Sequence, residues 1–180
     1  FISSSGGNAG LAVAYSGRKL NVDVTVVVPQ TTRQEAIELM VREGAKVIVH
    51  GKVWLEAHKY ALSLVDKRHV YIHPFDNPLL WQGHASLIDE VKAQGVKPDL
   101  IILSVGGGGL LNGIVQGLEN NQWQEIPILA VETSGAESLA ISKRNAKHTS
   151  LETITSVATS LGASMVSKRS FEVLNEYNIH

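Results

Sequence analysis

Cysteine is absent from these 180 residues, so neither a disulfide nor a thiolate metal site can form within them. That suits a reducing compartment. No apolar stretch approaches the roughly 20 residues that span a bilayer, and nothing has the layout of a secretory leader. Charge of one sign is missing as well. Sixteen Lys and Arg stand against 17 Asp and Glu, a formal net charge of -1, which leaves no electrostatic footprint for nucleic acid or an anionic membrane. An initiating methionine is lacking too. The chain starts at Phe1, enters a glycine-rich motif after Ile2, and stops at Tyr177-Asn178-Ile179-His180, just past a helical pattern. We therefore expect an internal piece of a longer protein. Hydrophobic residues make up 44% of it, enough for one large core or two small ones.

The most informative run present is Ser104-Val105-Gly106-Gly107-Gly108-Gly109-Leu110. It follows Leu100-Ile101-Ile102-Leu103, a continuous apolar run of the kind found in a parallel strand buried on both faces. It precedes Leu110, Leu111, Ile114, Val115 and Leu118, spaced as one face of a helix. Strand, four glycines, helix: this order aims several backbone N–H groups at one spot before a helix N-terminus. Glycines there allow positive φ and close approach of an anion, and the helix dipole favours a phosphate. The alternative is a flexible linker, but linkers are flanked by polar sequence, and this run lies between two apolar elements.

A second glycine motif, Ser3-Ser4-Ser5-Gly6-Gly7-Asn8-Ala9-Gly10, also opens a helix. Its hydroxyls, N–H groups and carboxamide suit a carboxylate. The bland alternative is a Ser/Asn-rich helix cap, the commonest use of these residues. Two anion loops in one chain point to a ligand carrying both a phosphate and a carboxylate. Nucleotide motifs fail on spacing. Gly109 is followed by Leu110 and Leu111, not by the Lys-Ser/Thr of a Walker loop. A dinucleotide fingerprint begun at Gly106 or Gly107 ends on Leu111 or Asn112 instead of glycine. Glu132, closing the next strand, does sit where a ribose-binding acid would, so a Rossmann-type nucleotide binder stays open as an alternative.

The seven histidines suggest no metal site. His69 and His73 would share a strand face but lie about 13 Å apart at the usual rise, and surface or core packing is the expectation for each. Gly113 and Gly117 have the spacing of a membrane dimer motif, but Asn112, Gln116 and Glu119 beside them favour close packing of a helix in water.

The periodicities predict helices over 8–20, from Thr31-Thr32 to Gly44, over 54–65, from about 80 to 92, after the tetraglycine, over 136–141 and over 170–177. Thr32 with Glu35 has capping-box spacing, and that helix is expected to bury Ile37, Met40 and Val41. Strands are predicted over 22–28, 47–49, 69–72, 100–103 and 126–131; Phe1-Ile2 is too short for one, and 149–166 reads mostly as loop. This alternation calls for parallel sheets with right-handed crossovers. Two α/β halves meet near Pro74–Pro78.

Ser4 to Gly10, His73 to Ser86, Ser104 to Leu111 and Ile154 to Ala158 together resemble the L-serine dehydratase branch of the pyridoxal-phosphate enzymes of fold type II, the tryptophan synthase beta-like family. The likeness runs over nearly the whole chain in the same order. It implies two parallel-sheet α/β domains: residues 1–75 as a small domain carrying the substrate-carboxylate loop, and 76–180 as part of a large cofactor-binding domain. Gly106, Gly107, Gly108, Gly109 and Leu110 would hold the phosphate of pyridoxal 5'-phosphate. Ser5, Gly6, Asn8 and Ala9 would hold the carboxylate of a small amino acid, Asn8 also reaching the cofactor ring. A monovalent cation, potassium, would be held by Glu132 and by oxygens at Gly106, Ala136, Leu161 and Ala163. The Schiff-base lysine would lie upstream, so no catalytic residue is assigned in this chain. The implied activity is lyase chemistry of amino-acid catabolism: β-elimination of L-serine or L-threonine to pyruvate or 2-oxobutanoate plus ammonia, in a cytoplasmic homodimer acting on neither nucleic acid nor membrane. Gly6 and Ser160 stand where alanine is familiar in the family, which leaves serine or threonine preference open. A non-catalytic relative that binds the cofactor or an amino acid is a further alternative.

Overall fold

Three consecutive valines, Val26, Val27 and Val28, have no solvent exposure at all, and they explain the first half of the molecule. The computed structural model describes residues 1–180, which divide into two units, Phe1–Pro74 and Phe75–His180. In the first unit the valines end strand β2 (Thr25–Val28), which lies between β1 (Ile2–Ser3) and β3 (Lys46–Val49). Strand β4 (Tyr71–Ile72) pairs on the other side of β1, giving the order β3-β2-β1-β4, all parallel. Alternate side chains of a strand point to opposite faces. Val26 and Val28 accordingly pack with Val13 and Ala14 of helix α1 (Asn8–Leu20) and Met40 of α2 (Gln34–Arg42). Val27 packs with Ala57 and Ala61 of α3 (Trp54–Ser63) on the opposite face. Helices thus cover both faces of the sheet. The chain runs from β1 outward to β2 and β3, then returns to the far side of β1 for β4. That reversal makes the carboxyl end of β1 a topological switch point, where ligands bind in open α/β sheets. Ser4 to Gly7 leave β1 there.

In the second unit α4 (Pro78–Ala93) is capped by Asn77, whose side chain accepts from Leu79 N at 2.9 Å, with proline at the first helical position. Strands β5 (Ile101–Ser104) and β6 (Ile128–Val131) pair in parallel, with α5 (Gly109–Asn120) between them in sequence. Helices α6 (Ser138–Arg144) and α7 (Lys168–Glu172) follow, and residues 149–166 hold only a short 3-10 turn, Thr159–Leu161. Ile179 bridges in parallel to Ile128. The core joins Leu103, Leu111, Ile114, Val115, Leu118, Ile128 and Val173.

Four expectations need correction. Ile2 does belong to a strand: two residues suffice because β1 is hydrogen-bonded on both edges. Strand β2 starts at Thr25, not Val22. Thr32 caps nothing; α2 begins one residue later behind Arg33, without a side-chain cap, and Val41 remains 53% exposed. Strand β5 is buried on one face only, since Leu103 faces the core while Ile102 is 62% exposed. Gly113 and Gly117 do pack α5 closely: a Cβ at Gly117 would lie 2.8 Å from the Ala85 carbonyl of α4.

Candidate functional site: two anion-competent loops

The Ser3–Asn8 loop is held from behind. Ser3 Oγ donates to the Ile72 carbonyl at 2.8 Å. The buried Ser4 carries most of the attachments: its carbonyl accepts from Trp54 Nε1 at 2.8 Å, and its hydroxyl lies 2.6 Å from Tyr71 Oη and 3.3 Å from His58 Nδ1. Tyr71 Oη and His58 Nδ1 are themselves 2.7 Å apart. Ser5 Oγ accepts from Gly7 N at 3.3 Å. Gly7, extended at φ -128, occupies the cap position of α1 with no side chain capping it, and Asn8 is exposed as the first helical residue. The helix-cap alternative therefore fails, because neither the serines nor Asn8 close this N-terminus. The N–H groups of Ser5, Gly6, Asn8 and Ala9 bond to no backbone carbonyl among the turn and cap contacts, and they lie at the positive end of the α1 dipole, which favours an anion. Gly6 is pressed by Thr32, whose Cγ2 would be 2.8 Å from an added Cβ. This contact explains why Thr32 is not a cap.

The tetraglycine loop is held in the same manner by different chemistry. Gly108 has φ +91 and starts α5, a conformation that disfavours every other residue type. Its carbonyl accepts from Asn112 N at 3.0 Å and lies 3.2 Å from Ser170 Oγ, while the Gly107 carbonyl accepts from Ser167 N at 2.9 Å. Asn112, Ser167 and Ser170 form a buried polar network: Asn112 Nδ2 donates to Ser167 Oγ at 2.8 Å, and Ser170 Oγ donates to Asn112 Oδ1 at 2.9 Å. With the carbonyls tied inward, the N–H groups of Gly106, Gly107 and Gly108 are left without a backbone partner. Side chains are excluded by the surroundings. A Cβ at Gly107 would run into the Phe75 ring, one at Gly109 would sit 2.7 Å from the Phe75 carbonyl, and one at Gly108 would strike Ser170. The cradle fits a phosphate.

The expected cation ligands are less simply arranged. The Leu161 carbonyl lies against Gly106, 3.0 Å from where a Cβ would stand. Glu132 accepts from Leu139 N at 2.8 Å and Ala140 N at 2.7 Å, one bond to each carboxylate oxygen, so it closes the start of α6. Burial pushes its carboxyl above the ordinary range, against the pull of those two donors. Ala136 is buried, and the nearby Ser138 Oγ is a buried polar atom with no partner, the kind of orphan that an oxygen-seeking cation would satisfy. Ala163 donates to the Leu161 carbonyl at 3.1 Å. No group of three or more His, Cys, Asp or Glu is placed to hold a metal.

Sequence reasoning missed the residues behind both loops. Trp54 and His58 lie four apart on a helix, Tyr71 and His73 two apart at a strand end, and the four rings cluster: Trp54 stacks on His58 at 4.8 Å, and His73 stands edge-on to Trp54, His58 and Tyr71. Those spacings were the available signal. His69, by contrast, pairs with Asp66 at 2.7 Å. Nothing in the spacing of Ser167 and Ser170 marks them as supports of a loop 60 residues away.

The whole chain, residues 1–180, matches the family model described as pyridoxal-phosphate dependent enzyme. It is 48% identical over 189 residues to the L-serine dehydratase of Dictyostelium discoideum, covering 99% of this chain and 54% of that protein. It is 46% identical to the human L-serine dehydratase/L-threonine deaminase, covering 99% of this chain and 56% of the relative. Among solved structures, a fungal L-serine ammonia-lyase from Rhizomucor miehei superposes with a TM-score of 0.89 at 34% identity, covering 99% of this chain and 58% of that one. The chain thus spans about half the length of the curated relatives it matches.

Proposed function

Because the chain belongs to the pyridoxal-phosphate-dependent enzyme family, we propose that the full-length protein eliminates water from L-serine or L-threonine, and that the enamine so released takes the water back as it loses ammonia, for a net conversion to pyruvate or 2-oxobutanoate plus ammonia. The observation that carries this is the tetraglycine cradle, with the Gly107 and Gly108 carbonyls bonded, N–H groups without a backbone partner and Cβ space filled by Phe75 and Ser170. Gly106, Gly107, Gly108, Gly109 and Leu110 would hold the cofactor phosphate. When bound, the cofactor supplies an electron sink for charge developing at the substrate Cα. Ser5, Gly6, Asn8 and Ala9 would hold the substrate carboxylate and so fix which Cα bond is presented for cleavage. Asn8, exposed at the first turn of α1, would also reach the cofactor ring, as the resemblance implies. The names of the relatives support the substrate class: serine dehydratase, threonine deaminase and serine ammonia-lyase. The ribose-binding alternative for Glu132 finds no support in the family match, which covers the whole chain and is to pyridoxal-phosphate dependent enzymes.

The reading extends to a potassium site of Glu132 with the oxygens of Gly106, Ala136, Leu161 and Ala163. The abutting Leu161 carbonyl and the orphaned Ser138 hydroxyl support it. Homodimeric assembly, a cytoplasmic location and a catabolic role are carried by the resemblance alone.

The test uses the full-length protein with L-serine, following pyruvate and the cofactor absorbance together, in potassium and in a large organic cation at matched ionic strength. Asn8→Ala is expected to keep the absorbance and lose about tenfold or more in turnover, the worth of one charge-assisted hydrogen bond. Retained cofactor without pyruvate from the wild type would instead identify a non-catalytic relative, and equal rates in both salts would remove the cation from the mechanism.

A further inference from the structure

Ser4, Tyr71 and His58 bring three polar atoms into one small triangle, with sides of 2.6, 2.7 and 3.3 Å. Three different elements contribute: the loop after β1, strand β4 and helix α3. Trp54 completes the arrangement, stacking on the His58 ring while donating its N–H to the Ser4 carbonyl. Ser4 is therefore gripped at both of its polar ends, one residue before Ser5. We propose that Tyr71 and His58 are positioning residues for the carboxylate-binding loop, which hold the Ser4 hydroxyl in one of two opposite orientations. The inference rests on the reading of that loop as the carboxylate site.

The two orientations follow from counting donors. With a neutral His58 ring whose proton is on Nε2, Nδ1 can only accept. Tyr71 Oη–H then donates to Nδ1, the Tyr71 oxygen accepts from Ser4 Oγ–H, and all three groups are satisfied. With Nδ1 protonated, the imidazolium donates to the Tyr71 oxygen and Tyr71 must donate to Ser4. The Ser4 proton then points out of the triangle, where it needs another acceptor within the loop. Reversing a chain of hydrogen bonds in this way redirects the group at its end, because each hydroxyl has a single proton. The direct Ser4–His58 side, at 3.3 Å, is the longest of the three, so the chain of bonds runs through Tyr71.

The groups facing His58 set which state prevails. They are Tyr71 from β4, His73 from the segment after β4, whose ring centroid is 5.6 Å away, and the uncharged Ser4 and Trp54. Burial lowers the His58 pKa below the ordinary 6.5, which favours the neutral ring, with its proton on Nε2 in the arrangement proposed. Burial likewise raises the Tyr71 phenol, with the Ser4 bond opposing, which keeps that group a donor throughout.

The experiment measures KM and kcat for L-serine with the full-length holoenzyme between pH 5.5 and 8, in the wild type, His58→Asn and Tyr71→Phe. Asn retains a polar atom near the position of Nδ1 but cannot titrate. The wild-type KM is expected to rise about fivefold more than kcat falls as His58 protonates, the scale of one net hydrogen bond. His58→Asn is expected to flatten that ratio, and Tyr71→Phe to raise KM at every pH with cofactor content unchanged. A ratio in His58→Asn as steep as in the wild type, or an unaltered KM in Tyr71→Phe, overturns the proposal. Nitrogen-15 NMR of the His58 ring reads the same triangle without turnover. Expected at pH 8 is an unprotonated Nδ1 whose titration moves the Gly6 and Gly7 amide signals and ceases to move them in Tyr71→Phe. Should the wild type make no pyruvate, the dehydratase reading fails, and the NMR result alone decides the positioning role. A protonated Nδ1 at pH 8, or loop amides indifferent to His58, rejects it.

Discussion

His58 links acidity to stability as well as to loop geometry. Its pKa is lowered in the folded protein by burial, so between that value and 6.5 the unfolded chain binds more protons than the native one. Stability then rises with pH through this window. The contribution is fully present above pH 6.5 and is lost as pH falls through the folded value. We expect the urea midpoint of the wild type to drop relative to that of His58→Asn between pH 7 and pH 5, with the two curves parallel above pH 7; parallel curves throughout would mean that His58 is not held neutral. At this scale the sequence was legible where a residue type is forced and opaque where a partner decides. Gly108 could be read because φ +91 admits little else. His58 and Ser170 could not, since each matters through atoms far away in sequence: Tyr71, 13 residues on, and Gly108, 62 residues back. Thr32 misled because its hydroxyl sits against Gly6 and not at a helix end.

Elements were legible in proportion to their apolar period. Helix α1 occupies the predicted 8–20, and α5 follows the tetraglycine as its leucine and isoleucine spacing requires. Strand β1 was missed because two residues carry no period; it exists through pairing alone. The contact of α4 with α5 depends on small residues. At Gly117 an added Cβ would lie 2.7 Å from Ile88 Cγ1 and 2.8 Å from the Ala85 carbonyl, the latter being backbone that cannot rotate away. Gly→Ala in an exposed helix gains about 1 kcal/mol, whereas overpacking costs about 1–3 kcal/mol. Gly117→Ala should therefore destabilise by up to about 2 kcal/mol in urea unfolding, and Gly44→Ala at φ +85, with nothing within 4 Å, should lose about 1–2 kcal/mol through positive φ alone. A stabilised Gly117→Ala would show that α4 and α5 can move apart freely.

Over the whole molecule, parallel α/β organisation was readable from the alternation of patterns, and the two glycine motifs marked both loops by composition and context alone. What could not be read was the exposure of the second sheet's outer face. Ile102, Leu129 and Val131 form a neighbouring apolar set across β5 and β6, where two-sided burial was expected, on a chain that spans about half of its curated relatives. Contiguous apolar surface of this kind promotes association. In the 180-residue chain, Ile102→Thr with Val131→Thr should raise the monomer fraction and reduce binding of a hydrophobic dye, while keeping β-propensity; unchanged values would show that this face is not what associates. The tied carbonyls of Gly107 and Gly108 have a thermodynamic consequence of their own. A loop that orders only around its ligand buries apolar surface at that moment and carries a negative heat-capacity change. Here the ordering is complete beforehand, enforced by Asn112, Ser167 and Ser170. If this loop takes the phosphate as proposed, the enthalpy of capture is expected to be nearly independent of temperature, and the entropy lost on binding to belong to the ligand and its water, which calorimetry at several temperatures would read.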